Sequence, residues 1–157
     1  MSTVQPIPPG MHSLTPHLMC RGAADAIAFY TKAFGAVEMF RLPTPDGRLM
    51  HAHIQIGDSA LWLGDEFPEH GCSALPAGQR SPVTIHLYVE DVDAVVARAI
   101  AAGAKLTMPV ADMFWGDRYG QLEDPFGHRW SVGTHLHDAS PEELAAAAAT
   151  FGADANA

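Results

Sequence analysis

Basic charge is scarce in this chain: nine Lys and Arg stand against eighteen Asp and Glu, for a formal charge of −9. The basic residues are scattered, so neither nucleic acid nor an anionic membrane is expected as a partner, because both require clustered Lys and Arg. Cysteine is scarcer still. Cys20 and Cys72 have neither metal-site nor disulfide spacing, which leaves Cys20 as a small buried apolar residue and makes a reducing compartment the simpler assumption. No apolar run reaches transmembrane length and no signal peptide is seen, so a cytoplasmic location is expected. A Gly-rich phosphate loop after a strand, a Ser nucleophile elbow and a Cys-x-x-Cys pair are also missing, and with them the chemistries they carry.

What is present is a globular composition, 48% hydrophobic over 157 residues, and an internal repeat. From Thr84 to Gly103 the sequence TIHLYVEDVDAVVARAIAAG reads as a strand followed by a helix. In the strand, Thr84, His86 and Tyr88 point one way and Ile85, Leu87 and Val89 the other. Asp91 is placed to cap a helix over Val92–Ala102, in which Val92, Val95, Val96, Ala99 and Ile100 form an apolar stripe, and Gly103 to end it. His17-Leu18-Met19-Cys20 matches His86-Leu87-Tyr88-Val89 at an offset of 69, and Leu61–Asp65 matches Trp130–Thr134 at the same offset. Two landmarks with one period mark a duplication. Each half alone is marginal in size, so the halves are expected to share a core or to pair through their sheets.

The order within each half is β-α-β-β-β. Residues 1–13 are a Gly/Pro-bearing lead without periodicity, expected to be a disordered arm. The first module, 14–66, holds a strand over Thr15–Cys20, a helix over Ala23–Phe34 closed by Gly35, and strands Val37–Leu42, Arg48–Ile56 and Ser59–Gly64. Thr44-Pro45-Asp46-Gly47 and Gly57-Asp58 supply the turns. In the third strand His51, His53 and Gln55 share a face. A polar connection, 67–82, leads to the second module, 83–138. Its strands are 83–89, Lys105–Val110, Tyr119–Glu123 and His128–Thr134, with an Asp124-Pro125-Phe126-Gly127 turn and a loop over Ala111–Arg118. In 139–157, Ser140-Pro141-Glu142-Glu143 is a capping box that opens an Ala-rich helix, and the tail after Phe151 is expected to fray.

These features resemble a known family. AIAFYTKAFGA, DVDAVVARAIAAGA and DPFGHRWSVGTH are similar to segments of the vicinal oxygen chelate superfamily, which includes glyoxalase I, bleomycin-resistance proteins and extradiol dioxygenases. PDGRLMHAHIQIGDSALWLGDE, YVEDVDA, FWGDRYGQLEDPFGHRW and THLHD followed by SPEE resemble its PhnB-like branch more narrowly. The resemblance covers roughly residues 14–144. It implies an α+β fold of two tandem βαβββ modules that form a cupped mixed sheet with helices outside, and it implies a homodimer with side-by-side or swapped modules. Methyltransferase activity, a label attached to this branch, is not expected, because no Gly-rich βα turn is present for a nucleoside cofactor.

In metal-bearing members the ligands come from the first and fourth strands of each module and are usually His or Glu. Matching on the helices and on DPFG puts Thr15, Trp62, Thr84 and Ser131 at those places, none of them a usual ligand. A shift of two residues puts His17 and His86 there instead, with Gly64 and Gly133 as partners. Two histidines fall short of the three protein ligands a divalent site needs, unless Glu66 or one of His51 and His53 completes the set. Either a divalent Zn, Ni, Fe or Mn ion or no cofactor at all is compatible with the residues. Without a metal, His17 and His86 are polar cavity linings bonded to neighbours or water.

The remaining site candidates follow from the cavity face. Trp62, His51, His53, Tyr88, Phe114 and Trp115 are expected to line a substrate pocket, the last two as aromatic contacts for a flat or apolar molecule. Asp117 and Arg118 would orient an anion or carbonyl, unless they bond only loop backbone. Glu66 and Glu123 are candidates to move a proton, for which burial would have to raise the carboxylate pKa. The functional readings are therefore a glyoxalase-like enzyme of lyase or dioxygenase type acting on a small polar or carbonyl compound, with a metal polarising substrate oxygens if one is bound, or a metal-free protein that sequesters a small molecule, as bleomycin-resistance proteins do.

Overall fold

A computed structural model describes residues 4–151. The lead from 4 to 16 carries no helix or strand, and the expected fraying after Phe151 lies outside the described residues. The first module contains β1 (His17–Cys20), α1 (Ala23–Phe34), β2 (Val37–Pro43), β3 (Leu49–Ile56) and β4 (Ser59–Asp65). The second contains β5 (Thr84–Tyr88), α2 (Val92–Ala102), β6 (Lys105–Asp112), β7 (Asp117–Glu123) and β8 (Arg129–His135), and α3 (Pro141–Thr150) follows. The strands make two four-stranded mixed sheets, ordered β1-β4-β3-β2 and β5-β8-β7-β6. In each, the first strand runs parallel to the fourth and the other pairs are antiparallel. The fold is α+β with two βαβββ modules. Among the described residues no helix is long and apolar enough to cross a membrane.

The helices start where their first N–H groups find acceptors, and the two modules solve that problem alike. Asp91 caps α2 locally, its Oδ1 accepting from Ala94 N at 3.0 Å, and Thr134 at the end of β8 accepts from Val92 N at 2.9 Å. The N-cap of α1 is Gly22, which has no side chain to offer. Asp65, 69 residues before Thr134 and likewise at the end of its sheet's fourth strand, takes over: one carboxylate oxygen accepts from Gly22 N and Ala23 N at 2.9 and 2.8 Å, the other from Leu49 N at 2.7 Å. The end of β4 or β8 thus ties each sheet to its helix.

Alternation in the strands sends one face of each sheet against these helices. Leu18, Ala52, Ile54, Leu61 and Leu63 bury in the first module; Leu122, Trp130 and Val132 bury in the second, and all belong to one apolar core. The modules meet through α1. Tyr30 and Phe34 pack on Trp130 with ring centroids 5.5 and 4.7 Å apart. Tyr30 also donates its hydroxyl to Asp124 Oδ2 at 2.5 Å, and Trp130 Nε1 donates to the same oxygen at 3.0 Å. Asp124 Oδ1 accepts the backbone N–H groups of Phe126 and His128, both at 2.9 Å. This buried carboxylate is therefore supplied with donors on both oxygens, as a charge at 5% exposure requires. Burial pushes the Tyr30 hydroxyl pKa well up. His128, just before β8, is buried with Nε2 3.0 Å from Met19 O, and Cys20 is buried with its thiol pushed up to about 12 by that burial and by Asp124 and Asp65.

Among the described residues, the other face of each sheet has no helix over it. On β2 the side chains of Phe40 and Leu42 stay 51% and 43% exposed, and on β5 Tyr88 is 60% exposed.

Candidate functional site

Strand register decides which side chains stand side by side on the open faces. In the first sheet one row across the strands reads His17, Trp62, His53, Phe40; in the second the corresponding row reads His86, Ser131, Gln121, Met108. The register pairs the strands differently from either expected matching. The first-strand residues beside Trp62 and Ser131 are His17 and His86, not Thr15 and Thr84, whereas Gly64 and Gly133 stand beside Met19 and Tyr88. The shift of two applies to the first strands and not to the fourth. The cause lies at the strand start: β1 begins at His17, two residues later than expected, and the carbonyl of Pro16 accepts the N–H of Trp62 at 2.9 Å, which sets the stagger of the parallel pair.

The face of the first sheet is aromatic. Trp62 meets His51 edge-on at 5.0 Å and His17 edge-on at 5.9 Å, and His17 and His51 are 5.7 Å apart. Phe40 lies 6.4 Å from His51. Burial, with His17 and His53 nearby, holds the His51 pKa below its ordinary value, so the His51 ring is neutral at pH 7 and packs as apolar surface. His53 carries a buried Nε2 without a hydrogen-bond partner in the chain alone. Beside His17 a cavity of about 530 Å³ opens, walled by Met19, Pro45, Met50 and Phe67, with Arg48 stacked 4.0 Å over the Phe67 ring and Cys72 at its edge.

The face of the second sheet is mixed. His86 Nδ1 sits 2.7 Å from the hydroxyl of Ser131, which is 3% exposed. The His86 ring stacks on Tyr119 at 5.9 Å and meets Tyr88 edge-on at 4.3 Å. A Cβ on Gly133 would come within 3.3 Å of His86 Cε1, so the glycine gives the imidazole its place. Desolvation lowers the His86 pKa, partly opposed by Asp117. Trp115 continues the run of rings, 5.3 Å from Tyr119 and 5.1 Å from Phe114. A second cavity, about 420 Å³, lies between His86, Tyr88 and the lead segment at His12 and Leu14–Pro16.

The four residues expected to act as acids, bases or orienting groups are separated. Asp117 opens β7 on the open face and is buried there, accepting from Tyr88 Oη at 3.0 Å and Trp115 Nε1 at 3.2 Å. Arg118, the next residue, points to the helix side, where Asp93 of α2 holds it at 2.6 and 2.9 Å and Asp112 at 2.9 Å. The pair does not act on one surface, because adjacent strand residues face opposite ways. Glu66 is engaged by Arg21 Nε at 2.8 Å and by Ala74 N at 3.1 Å, which lower its pKa, the reverse of the shift a general base near neutrality requires. Glu123 lies at the far end of β7, its Oε2 2.7 Å from Arg80 Nε in an ion pair outside hydrogen-bonding geometry. The contact of Ser131 with His86, and Tyr119 and Gln121 beside it, lie outside the expected site residues. The alternation of Tyr119, Gln121 and Glu123 was the available signal.

Two βαβββ modules that pack through their helices and leave the other sheet faces open define the class of fold. The Glyoxalase/Bleomycin resistance protein/Dioxygenase superfamily model matches residues 11–132, and the chain belongs to that superfamily. An uncharacterized protein of Mycobacterium tuberculosis is 46% identical over 143 residues, spanning 89% of this chain and 84% of the relative. A PhnB protein from Bacillus cereus shares the fold with a TM-score of 0.63 at 19% identity, over 78% of this chain and 99% of that one. The fosfomycin resistance protein FosX from Listeria monocytogenes, solved with Mn(II) and sulfate, does so with a TM-score of 0.61 at 17% identity, over 86% and 99%.

The donor set here does not fit a divalent ion. Among the described residues no group of three or more His, Cys, Asp and Glu side chains is arranged to hold a metal. At the two strand pairs where the resemblance would put metal ligands, this chain offers His17 beside an indole and His86 beside a hydroxyl that already occupies its Nδ1.

Proposed function

We propose that this chain is a metal-independent binding protein for a planar small organic molecule and works as a homodimer. The observation that carries this reading is the pairing of His17 with Trp62 and of His86 with Ser131 at the places where metal ligands would stand. A second copy that sets the ring-lined face of one first sheet against the mixed face of another second sheet would cover Phe40, Leu42 and Tyr88 and enclose a ligand between them. Rings supply stacking area, while Ser131, Gln121 and the free nitrogen of His86 supply the few polar contacts that orient a ligand.

One observation favours turnover as a second reading. If His86 donates from Nδ1 to Ser131, its Nε2 is left as an unprotonated base at neutral pH, since desolvation keeps the ring neutral. His86 would then abstract the proton that Glu66 and Glu123, held in ion pairs, are poorly placed to take.

The test is a titration with a planar aromatic probe, 8-anilinonaphthalene-1-sulfonate, with and without EDTA, on protein whose mass is checked against twice 16.8 kDa by sedimentation equilibrium. Binding by a dimer that EDTA does not change, weakened roughly tenfold in Trp62→Ala for loss of about 1.4 kcal/mol of ring contact, is expected. Binding that requires added metal, or that Trp62→Ala leaves intact, refutes it.

A further inference from the structure

Asp117 is the one buried carboxylate on the open face of the second sheet among the described residues, and its two oxygens serve different neighbours. Oδ2 accepts from the Tyr88 hydroxyl and the Trp115 indole, at 3.0 and 3.2 Å, both rings of the proposed ligand face. Oδ1 lies 2.7 Å from Nδ1 of His135, whose side chain is 51% exposed and whose Nε2 lies 3.0 Å from Asp138 Oδ1 at the surface. The side chains thus form an unbroken chain of contacts from solvent to two rings of the face.

We propose that Asp117 is a positioning residue through which the protonation of surface His135 sets the placement of Trp115 and Tyr88. The physics is that of a shared acceptor. Burial alone would raise the Asp117 pKa, but the bonds from His135, Tyr88 and Trp115 outweigh it and keep the carboxylate charged. With His135 protonated, a charge-assisted bond draws the carboxylate outward; with His135 neutral, that bond falls to about half its strength, and the carboxylate leans on its two ring donors. A displacement of Trp115 reaches His86 through Tyr119, which contacts both.

The charged groups around His135 set where it titrates. Asp117 on β7 and Asp138 after β8 bond it directly, and Glu90 beyond β5 lines the same surface depression. Tyr88 from β5 and His86 reach it only through Asp117. The guanidinium of Arg118 is held on the opposite face of β7 by Asp93 and Asp112. The bond to Asp117 and then that to Asp138 raise the His135 pKa, so the imidazole loses its proton above the ordinary value of ~6.5. Its stabilising contribution is complete below that ordinary value and is lost as pH rises through the raised folded value.

Only the consequence for ligand affinity rests on the binding reading; the relay itself is tested in the ligand-free full chain. The measurement is the indole N–H resonance of Trp115, assigned by its loss in Trp115→Phe, followed from pH ~5.5 to ~8.5, a range that brackets histidine titration. It is expected to move with one midpoint above ~6.5 that coincides with that of the His135 ring protons. His135→Gln, a change at a half-exposed side chain, should abolish the movement. Asp138→Asn, at a fully exposed one, should shift the midpoint to lower pH while keeping it. A pH-invariant Trp115 resonance, one that titrates unchanged in His135→Gln, or a midpoint indifferent to Asp138→Asn overturns the proposal. Because no ligand is present, none of these outcomes bears on whether the face binds a planar molecule.

Discussion

At Gly116 the backbone adopts φ 99°, and a Cβ there would collide with the carbonyl oxygen of His137. The same residue's carbonyl accepts the N–H groups of Leu136 and His137, at 2.9 and 3.2 Å, so the segment after β8 is fastened to the Trp115 loop at this one position. Gly116→Ala is expected to cost about 1–3 kcal/mol through the unfavourable backbone and the displaced segment, read as a lower urea midpoint at constant slope. An unchanged midpoint would mean that the segment carries no stability. Single residues were the least legible part of the sequence. His17 and His86 were rightly placed on the open faces, but their neighbours depend on a parallel-strand stagger that alternation alone does not reveal. Arg118 reads as an anion-binding partner of Asp117 only while the FWGDR segment is taken as a loop. Once β7 begins at Asp117, adjacent residues must face opposite sides.

Elements were more legible, because their start and stop signals are local. Asp91 caps α2 and Ser140 with Glu143 forms a capping box on α3, as the sequence indicates. The α2 span is Val92–Ala102 as expected, and Val92, Val95, Val96 and Ala99 are buried, but Ile100, expected in the same stripe, stays 42% exposed. The exception is α1, whose cap comes from Asp65 far along the chain and so leaves no local signal. Asp65→Ala removes acceptors from Gly22, Ala23 and Leu49 together, and is expected to destabilise the chain by about 2 kcal/mol, at the upper end for a cap. A urea-derived loss below about 0.5 kcal/mol, the range of an ordinary surface substitution, would show that water replaces the carboxylate without cost. Asp124 is the related case in the second module. Its turn was legible from Asp-Pro-Phe-Gly, but its bond to Tyr30 joins the two modules and belongs to tertiary structure.

At the scale of the molecule, duplication was the strongest signal, since a shared offset of 69 survives in the helix-supporting ends Asp65 and Thr134 as well as in the strands. It predicts two modules and which faces the helices cover. What it leaves open is the chemistry between the uncovered faces, because the two copies have diverged there, to an aromatic wall around Trp62 and a polar row around Ser131. On the proposed reading these faces bind without a metal. The measurement that tests it most directly is elemental analysis of untagged protein after equilibration with Zn, Ni, Mn or Fe(II) and dialysis, beside a His17→Ala/His86→Ala variant. The wild type is predicted to keep no more metal than the variant. Retention of about one ion per site, lost in the variant, would make His17 and His86 ligands after all and contradict the account.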